Sequence, residues 1–254
     1  MYAAGGAPTA PSGAYVVGAL ESADEARRAL ADLPDGAAVT VVGGGLTGIE
    51  TAAEVAEARP GLRVTLRSEG EVGASLGPGA RARVRRDLDR LGVLVERGRF
   101  DGAGSTDAVL WAVANQVSDL AARSGLEVDA DGRVVVDEFL RSVSDPRIVA
   151  VGDGAAVPGA RLSCQTALPQ GMHGATNLVR ELAGTPMRPY SMGYTGQNVS
   201  IGRRRAVIQA ARRDDTPTRI QFGGRAAALV KELVCRGAKG ATRTARFAWL
   251  PAPR

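Results

Sequence analysis

The 254-residue chain holds a single histidine and only two cysteines. Cys164 and Cys235 stand far apart, with no Cys-x-x-Cys spacing and no histidine cluster, which excludes a redox dithiol motif, a structural zinc site and a secreted disulfide scaffold. No apolar run approaches the roughly 20 residues that a membrane span needs, and no signal peptide is visible, so a cytoplasmic location without a membrane span is expected. Lysine is nearly missing as well: of the 32 basic residues, 30 are arginine.

What is present is a 44% hydrophobic composition, enough core for one large or two modest domains. The net charge of +5 is unevenly spread, because from Arg203 onward thirteen basic residues face three acids and the first 202 residues are net negative. The arginines of this tail read as a solvated face, and no nucleic-acid partner is expected.

The chain is organised around residues 39–50. Val39-Thr40-Val41-Val42 is a short apolar strand, and it runs into Gly43-Gly44-Gly45-Leu46-Thr47-Gly48-Ile49-Glu50. Gly43 permits a tight strand-to-helix turn, Gly45 lets a pyrophosphate approach the backbone, and Gly48 lets the helix lie close on the strand. The helix amino end, with Leu46 and Thr47 in its first turn, offers free N–H groups and partial positive charge to the anion. A helical pattern follows to Pro60, and a second strand covers 63–67. At its end, about 20 residues past the glycines, an acid commonly holds the ribose hydroxyls. Here Arg67 and Ser68 occupy that place. A guanidinium favours a ribose 2′-phosphate and hence NADPH over NADH, although Glu69 competes and a solvent-facing arginine is the alternative reading.

The rest of the pattern fits a parallel α/β unit over 35–116, with an amphipathic helix over 79–91, strands over 93–95 and 108–114, and a short loop over 100–106. Before it, Ser22 is expected to cap a helix over 22–33. After it, 126–136 reads as a hairpin turning at Asp131-Gly132, and 148–151 as a buried strand that leads into Gly152 and Asp153. A carboxylate just beyond a strand's carboxyl end lies where open parallel sheets bind ligands. A helix to about residue 182 carries His173, read as structural, and packing is favoured for Tyr190 and Tyr194. Residues 185–254 read as a small α+β cap with strands over 193–201, 206–210 and 218–222. A helix over 224–235 has a narrow apolar stripe, expected to pack within the domain, and a weakly structured end follows.

Gly43-x-Gly45-x-x-Gly48-x-Glu50 and Val151-Gly152-Asp153, in this order and spacing, resemble the pyridine nucleotide-dependent FAD oxidoreductases, in particular the type II NADH dehydrogenase-like branch. Tyr2-Ala3-Ala4-Gly5, Ser200-Ile201-Gly202-Arg203 and Lys231-Glu232 add to the likeness, which runs from residue 1 to about 235. The resemblance implies a Rossmann-like NAD(P)-binding domain (35–116) inserted in a three-layer ββα/α FAD-binding domain (a remnant and a connecting helix over 1–34, the remainder over 117–184), followed by the α+β cap. It implies that Gly43, Gly45 and Gly48 hold the NAD(P)H pyrophosphate, that Glu50 lies near nicotinamide and flavin, and that Asp153 binds the FAD ribityl chain. Hydride then passes from nicotinamide to FAD and on to a small-molecule acceptor.

The chain departs from the family pattern in lacking the first Gly-x-Gly-x-x-Gly unit, expected on the order of a hundred residues ahead of Met1. The FAD-type domain is thus truncated, and a second copy or partner chain is expected to cover its open sheet edge. Gln165 and Gln170 match the quinone-site pattern only loosely, and the meander before Ala108 is shortened to a loop. The alternative function is a flavin-free descendant that binds a nucleotide or metabolite and performs a cyclisation or isomerisation.

Overall fold

The computed structural model describes residues 1–6, 9–102, 106–113, 117–245 and 248–252. Five parallel strands form the main sheet: β1 (Tyr15–Val16), β2 (Ala38–Val42), β3 (Arg63–Ser68), β4 (Leu94–Arg97) and β5 (Ala108–Trp111), in the order β1-β5-β2-β3-β4. The helices between them are α1 (Leu20–Asp32), α2 (Leu46–Ala58) and α3 (Pro78–Arg90). Strand residues Val39, Val41, Val64, Leu66 and Leu110 point to one face and pack with Ala26, Ile49, Ala52, Ala53, Val84 and Leu88 of the helices. Val41 pairs with both Leu66 and Leu110, so three branched side chains stand in one row beneath α2. Complete burial of each contributes about 1.5–3 kcal/mol.

The opposite face of the sheet is more polar. Thr40, Thr65, Arg67, Leu94 and Glu96 line a shallow cavity of about 560 Å³ there, with Phe100 and Thr106 at its rim. Parallel sheets are normally covered on both faces. Among the described residues this face is bordered by the chain leading to β5, where the loop was expected. Residues 103–105 of that loop and 114–116, which include the predicted end of the 108–114 strand and the 116 boundary, lie outside the described residues, as do 7 and 8 of the amino-terminal segment.

Tyr15 pairs with Leu110 and Ala26 joins the first apolar cluster, so β1 and α1 pack with the five-stranded sheet. One expectation for this unit changes. Ser22 does not cap α1: Ala19 holds that position, and Ser22 Oγ accepts the Val16 N–H at 2.8 Å, tying the helix to the end of β1.

The second unit is smaller. It contains α4 (Leu120–Arg123), the two-stranded sheet of β6 (Val134–Val135) and β7 (Ala155–Ala156), and α5 (Cys164–Leu182). The hairpin at Asp131-Gly132 is present, closed by the Val128–Val134 bridge and by Asp129 N–H donating to the Arg133 carbonyl at 2.8 Å. The buried segment 148–151 is not a regular strand. It makes single bridges, Ala150 to Tyr2 in parallel and Val149 to Arg141 in antiparallel sense, because short bent segments flank it on either side. Val149, Ala150, Val151, Leu140 and Val134 form a separate apolar cluster.

The cap is an antiparallel sheet of β8 (Gly196–Ile201), β9 (Arg205–Ala211) and β10 (Pro217–Gly224), followed by α6 (Arg225–Thr244). Val199, Ile201 and Val207 enter the first cluster, so the cap covers the outer side of α2, where Glu50 and Glu54 meet Ser200 and Arg203 of the cap. Helix α6 runs well past the predicted end at 235. Of the apolar stripe expected to pack within the domain, Ala227 is buried, but Val230, Leu233 and Val234 are 39%, 67% and 48% exposed.

Candidate functional site: a glycine turn between β2 and α2

Strand β2 ends at Val42, and the chain turns at Gly43 with φ +128°, a conformation that L side chains rarely adopt. A Cβ there would also stand 2.9 Å from the Ala112 carbonyl oxygen. Gly43 N–H still donates to the Arg67 carbonyl at 2.9 Å, so the sheet ladder extends one residue into the turn. Gly48 lies directly over this point, where a Cβ would overlap the Gly43 carbonyl oxygen. Gly44 is equally constrained, since a Cβ on it would overlap Ser68 Oγ. Gly45 differs: a Cβ built on it meets nothing within 4 Å. The turn is therefore closed beneath and open above Gly45.

Gly45 is also the N-cap of α2, and no side chain caps the helix. The amides of Leu46, Thr47 and Gly48 have no earlier helical carbonyl to bind, and the helix dipole leaves partial positive charge there. Thr47 is exposed at this end. Gly73 N–H donates to the Gly44 carbonyl at 2.8 Å, which folds the chain after β3 against the turn. An uncapped helix end over an open glycine is suited to an anion with several oxygen acceptors.

The other predicted residues fall in different surroundings. Ser68 is buried beside Gly44 and belongs to the turn. Arg67 alternates to the open sheet face and pairs with Glu96 at 2.9 Å, turned away from the turn by the two-residue period of the strand. Glu50 is held by the cap: its Oε1 accepts the Ser200 N–H at 2.9 Å and lies 3.0 Å from Lys231 Nζ. Sequence reasoning noticed Ser200 and Lys231 only as part of the likeness and missed this contact, which spans 150 residues and leaves no local signal.

Gly152 and Asp153 form one 3-10 turn with Gly154, following the 148–151 segment. Gly152 has φ +73° and donates its N–H to the buried Gln170 Oε1 at 2.7 Å. Gln170 thus has a structural partner of its own. Asp153 is half-buried. His173 Nε2 donates to the Arg188 carbonyl at 2.8 Å and meets the Tyr190 ring edge-on at 5.3 Å. Burial pushes the Tyr190 phenol above its ordinary pKa, with Tyr194 adding to the effect. Tyr194 is buried, and its hydroxyl accepts the Arg161 N–H at 2.6 Å. All three residues serve packing. No group of three or more potential metal ligands occurs among the described residues, and none of their helices is long and apolar enough to cross a membrane.

The strand, glycine turn and helix, set in a parallel sheet and joined to a second small unit, define the Rossmann-like α/β class. Residues 1–174 match the model of the pyridine nucleotide-disulphide oxidoreductases, and the chain belongs to that family. It is 30% identical over 166 residues to the NADH dehydrogenase-like protein YutJ of Bacillus subtilis, covering 60% of this chain and 47% of that protein. To the type II NADH:quinone oxidoreductase Ndh of Mycobacterium tuberculosis it is 29% identical over 212 residues, covering 67% and 45%. The chain therefore spans about half the length of these relatives. Among solved structures, reduced CoADR-RHD of Bacillus anthracis superposes with a TM-score of 0.67 at 18% identity, over 98% of this chain and 57% of that one. The water-forming NADH oxidase of Lactobacillus brevis, bound to NADH, gives 0.63 at 19% identity, over 82% and 51%. These two likenesses are of fold.

Proposed function

We propose that the chain is the pyridine-nucleotide-binding part of an NAD(P)H-dependent flavin oxidoreductase, with the nucleotide pyrophosphate on the 43–48 turn. One observation carries this reading: the turn is sterically closed at Gly43, Gly44 and Gly48 yet open at Gly45, directly over the uncapped amides of α2. A turn shaped only by packing has no need of that opening. The family match supports the oxidoreductase over a flavin-free role in cyclisation or isomerisation.

In this reading the Leu46, Thr47 and Gly48 amides bind the pyrophosphate and fix the nicotinamide arm relative to α2. Glu50, one turn further along, is kept in a single orientation by Ser200 and Lys231. The second unit fits part of a flavin site. Gly152, with its N–H donated to Gln170, fixes the turn, and the Asp153 carboxylate has no hydrogen-bond or ion-pair partner among the described residues, so it can accept from ribityl hydroxyls. When bound, FAD supplies the hydride acceptor, and a small-molecule electron acceptor follows it.

The test is Gly45→Val. Its side chain enters open space, so the variant folds, while its methyl groups fill the anion's approach. The expected result is a loss of NADPH affinity of at least about tenfold by fluorescence titration, with the urea midpoint lowered only by the poorer N-cap, about 1 kcal/mol. Unchanged affinity would show that the turn is not the site.

A further inference from the structure

The carboxyl ends of β3 and β4 lie side by side, with Ser68 opposite Arg97 and Gly98 N–H donating to the Ser68 carbonyl at 2.9 Å. This is the corner of the sheet that faces the ribose of a nucleotide seated on the neighbouring glycine turn. Neither residue that the sequence put forward presents charge there. Ser68 is buried against Gly44, and Arg67 is bound to Glu96 on the open face of the sheet.

Two other guanidinium groups do gather at this corner. Arg97 Nε donates to the Glu69 carbonyl at 3.4 Å, and Arg99 Nε lies 3.9 Å from Glu69 Oε1. Gly98, between them, has φ +145°, a backbone state that glycine adopts freely, and both arginines are exposed. The nearby Glu71 is already paired with Arg81 at 3.1 Å. The corner therefore holds two exposed cations beside the exposed carboxylate of Glu69.

We propose that Arg97 and Arg99 form the 2′-phosphate subsite of this chain and make it select NADPH over NADH. The proposal rests on the nucleotide reading of the 43–48 turn. The Glu69–Arg99 pair is long, and its side chains are 74% and 86% exposed, so solvent screening leaves it weak. A phosphate monoester, with a charge near −2 and three acceptor oxygens, binds two guanidinium groups more strongly than one exposed carboxylate does. A ribose 2′-hydroxyl offers neither charge nor multiple acceptors. Selection thus comes from the outer strand β4, with Glu69 as an internal placeholder that the phosphate displaces.

Titration of the full chain with NADPH and with NADH, for the natural sequence, for Arg97→Ala/Arg99→Ala and for Arg99→Lys, tests the subsite. The natural chain is expected to bind NADPH more tightly than NADH. The double variant is expected to lose on the order of 10- to 100-fold in NADPH affinity, with NADH affinity held within about twofold, which also shows that it folds. Arg99→Lys is expected to retain part of the preference, because it keeps the charge and loses the bidentate fork. Equal binding of the two nucleotides by the natural chain, or an equal loss of both in the double variant, overturns the subsite and leaves the turn standing. Binding of neither nucleotide to the natural chain overturns the turn and the subsite with it.

Discussion

Around β2 the chain is held by apolar side chains from three helices, the sheet and the cap, and Ile49, Leu66 and Leu88 have no exposed surface. Around Val149 a smaller cluster sits among short bridges, and the turns that frame it are fastened by paired aspartates and arginines. Asp129 bonds Arg133, Asp137 bonds Arg141, and Asp145 bonds Arg147, in each case with the aspartate also accepting backbone N–H groups of its own turn. Leu140, buried in this cluster, has φ +68°, a cost of about 1–3 kcal/mol that the Asp137 turn sustains. One unit is thus stabilised by burial and the other by local polar fastening. The glycine turn belongs to the first, which is why it can be held rigid with its opening intact.

The largest effect that sharpens this contrast is expected from Leu66→Ala, which leaves a cavity under α2 and costs about 2–5 kcal/mol. Val149→Ala, in the smaller cluster, removes two methyl groups and costs about 1.5 kcal/mol. Urea titration of each variant checks the order, and equal losses would break the contrast.

A smaller effect is expected in acid. The Arg147 guanidinium and amide hold the Asp145 carboxyl down at about 2, from an ordinary 3.8. Burial alone would raise Asp129, but the Arg133 amide and guanidinium outweigh it and keep that carboxyl below 3.8. A depressed carboxyl stabilises the fold fully above its unfolded pKa and loses that contribution as pH falls through its folded one. Amides of 127–149 are therefore expected to lose exchange protection between about pH 4 and pH 2 before those of β2 and β3. Simultaneous loss in both units would remove the distinction.

The glycine turn was legible because its requirements are local. Positive φ at Gly43 and the close approach at Gly48 each admit one residue type, and the spacing records both. Arg67 turns to the open sheet face for a reason that is also local: side chains alternate along a strand, and Arg63, Thr65 and Arg67 share the face opposite Val64, Leu66 and Ser68. The anchoring of Glu50 by Ser200 and Lys231 joins residues far apart in the chain, and no pattern within either segment contains it. Helix α6 was cut short at 235 because its apolar stripe fades there and Gly237 and Gly240 follow. The helix nevertheless runs on to Thr244, where Ala245 in the left-handed conformation ends it.

Hydrogen exchange of the full chain with and without NADPH tests the turn most directly. Slowed exchange at the amides of Leu46, Thr47 and Gly48, with β6 and β7 unchanged, is the predicted result, because those helix amides are the ones that bind the pyrophosphate. Exchange at these three amides that is unaffected by saturating nucleotide would contradict it.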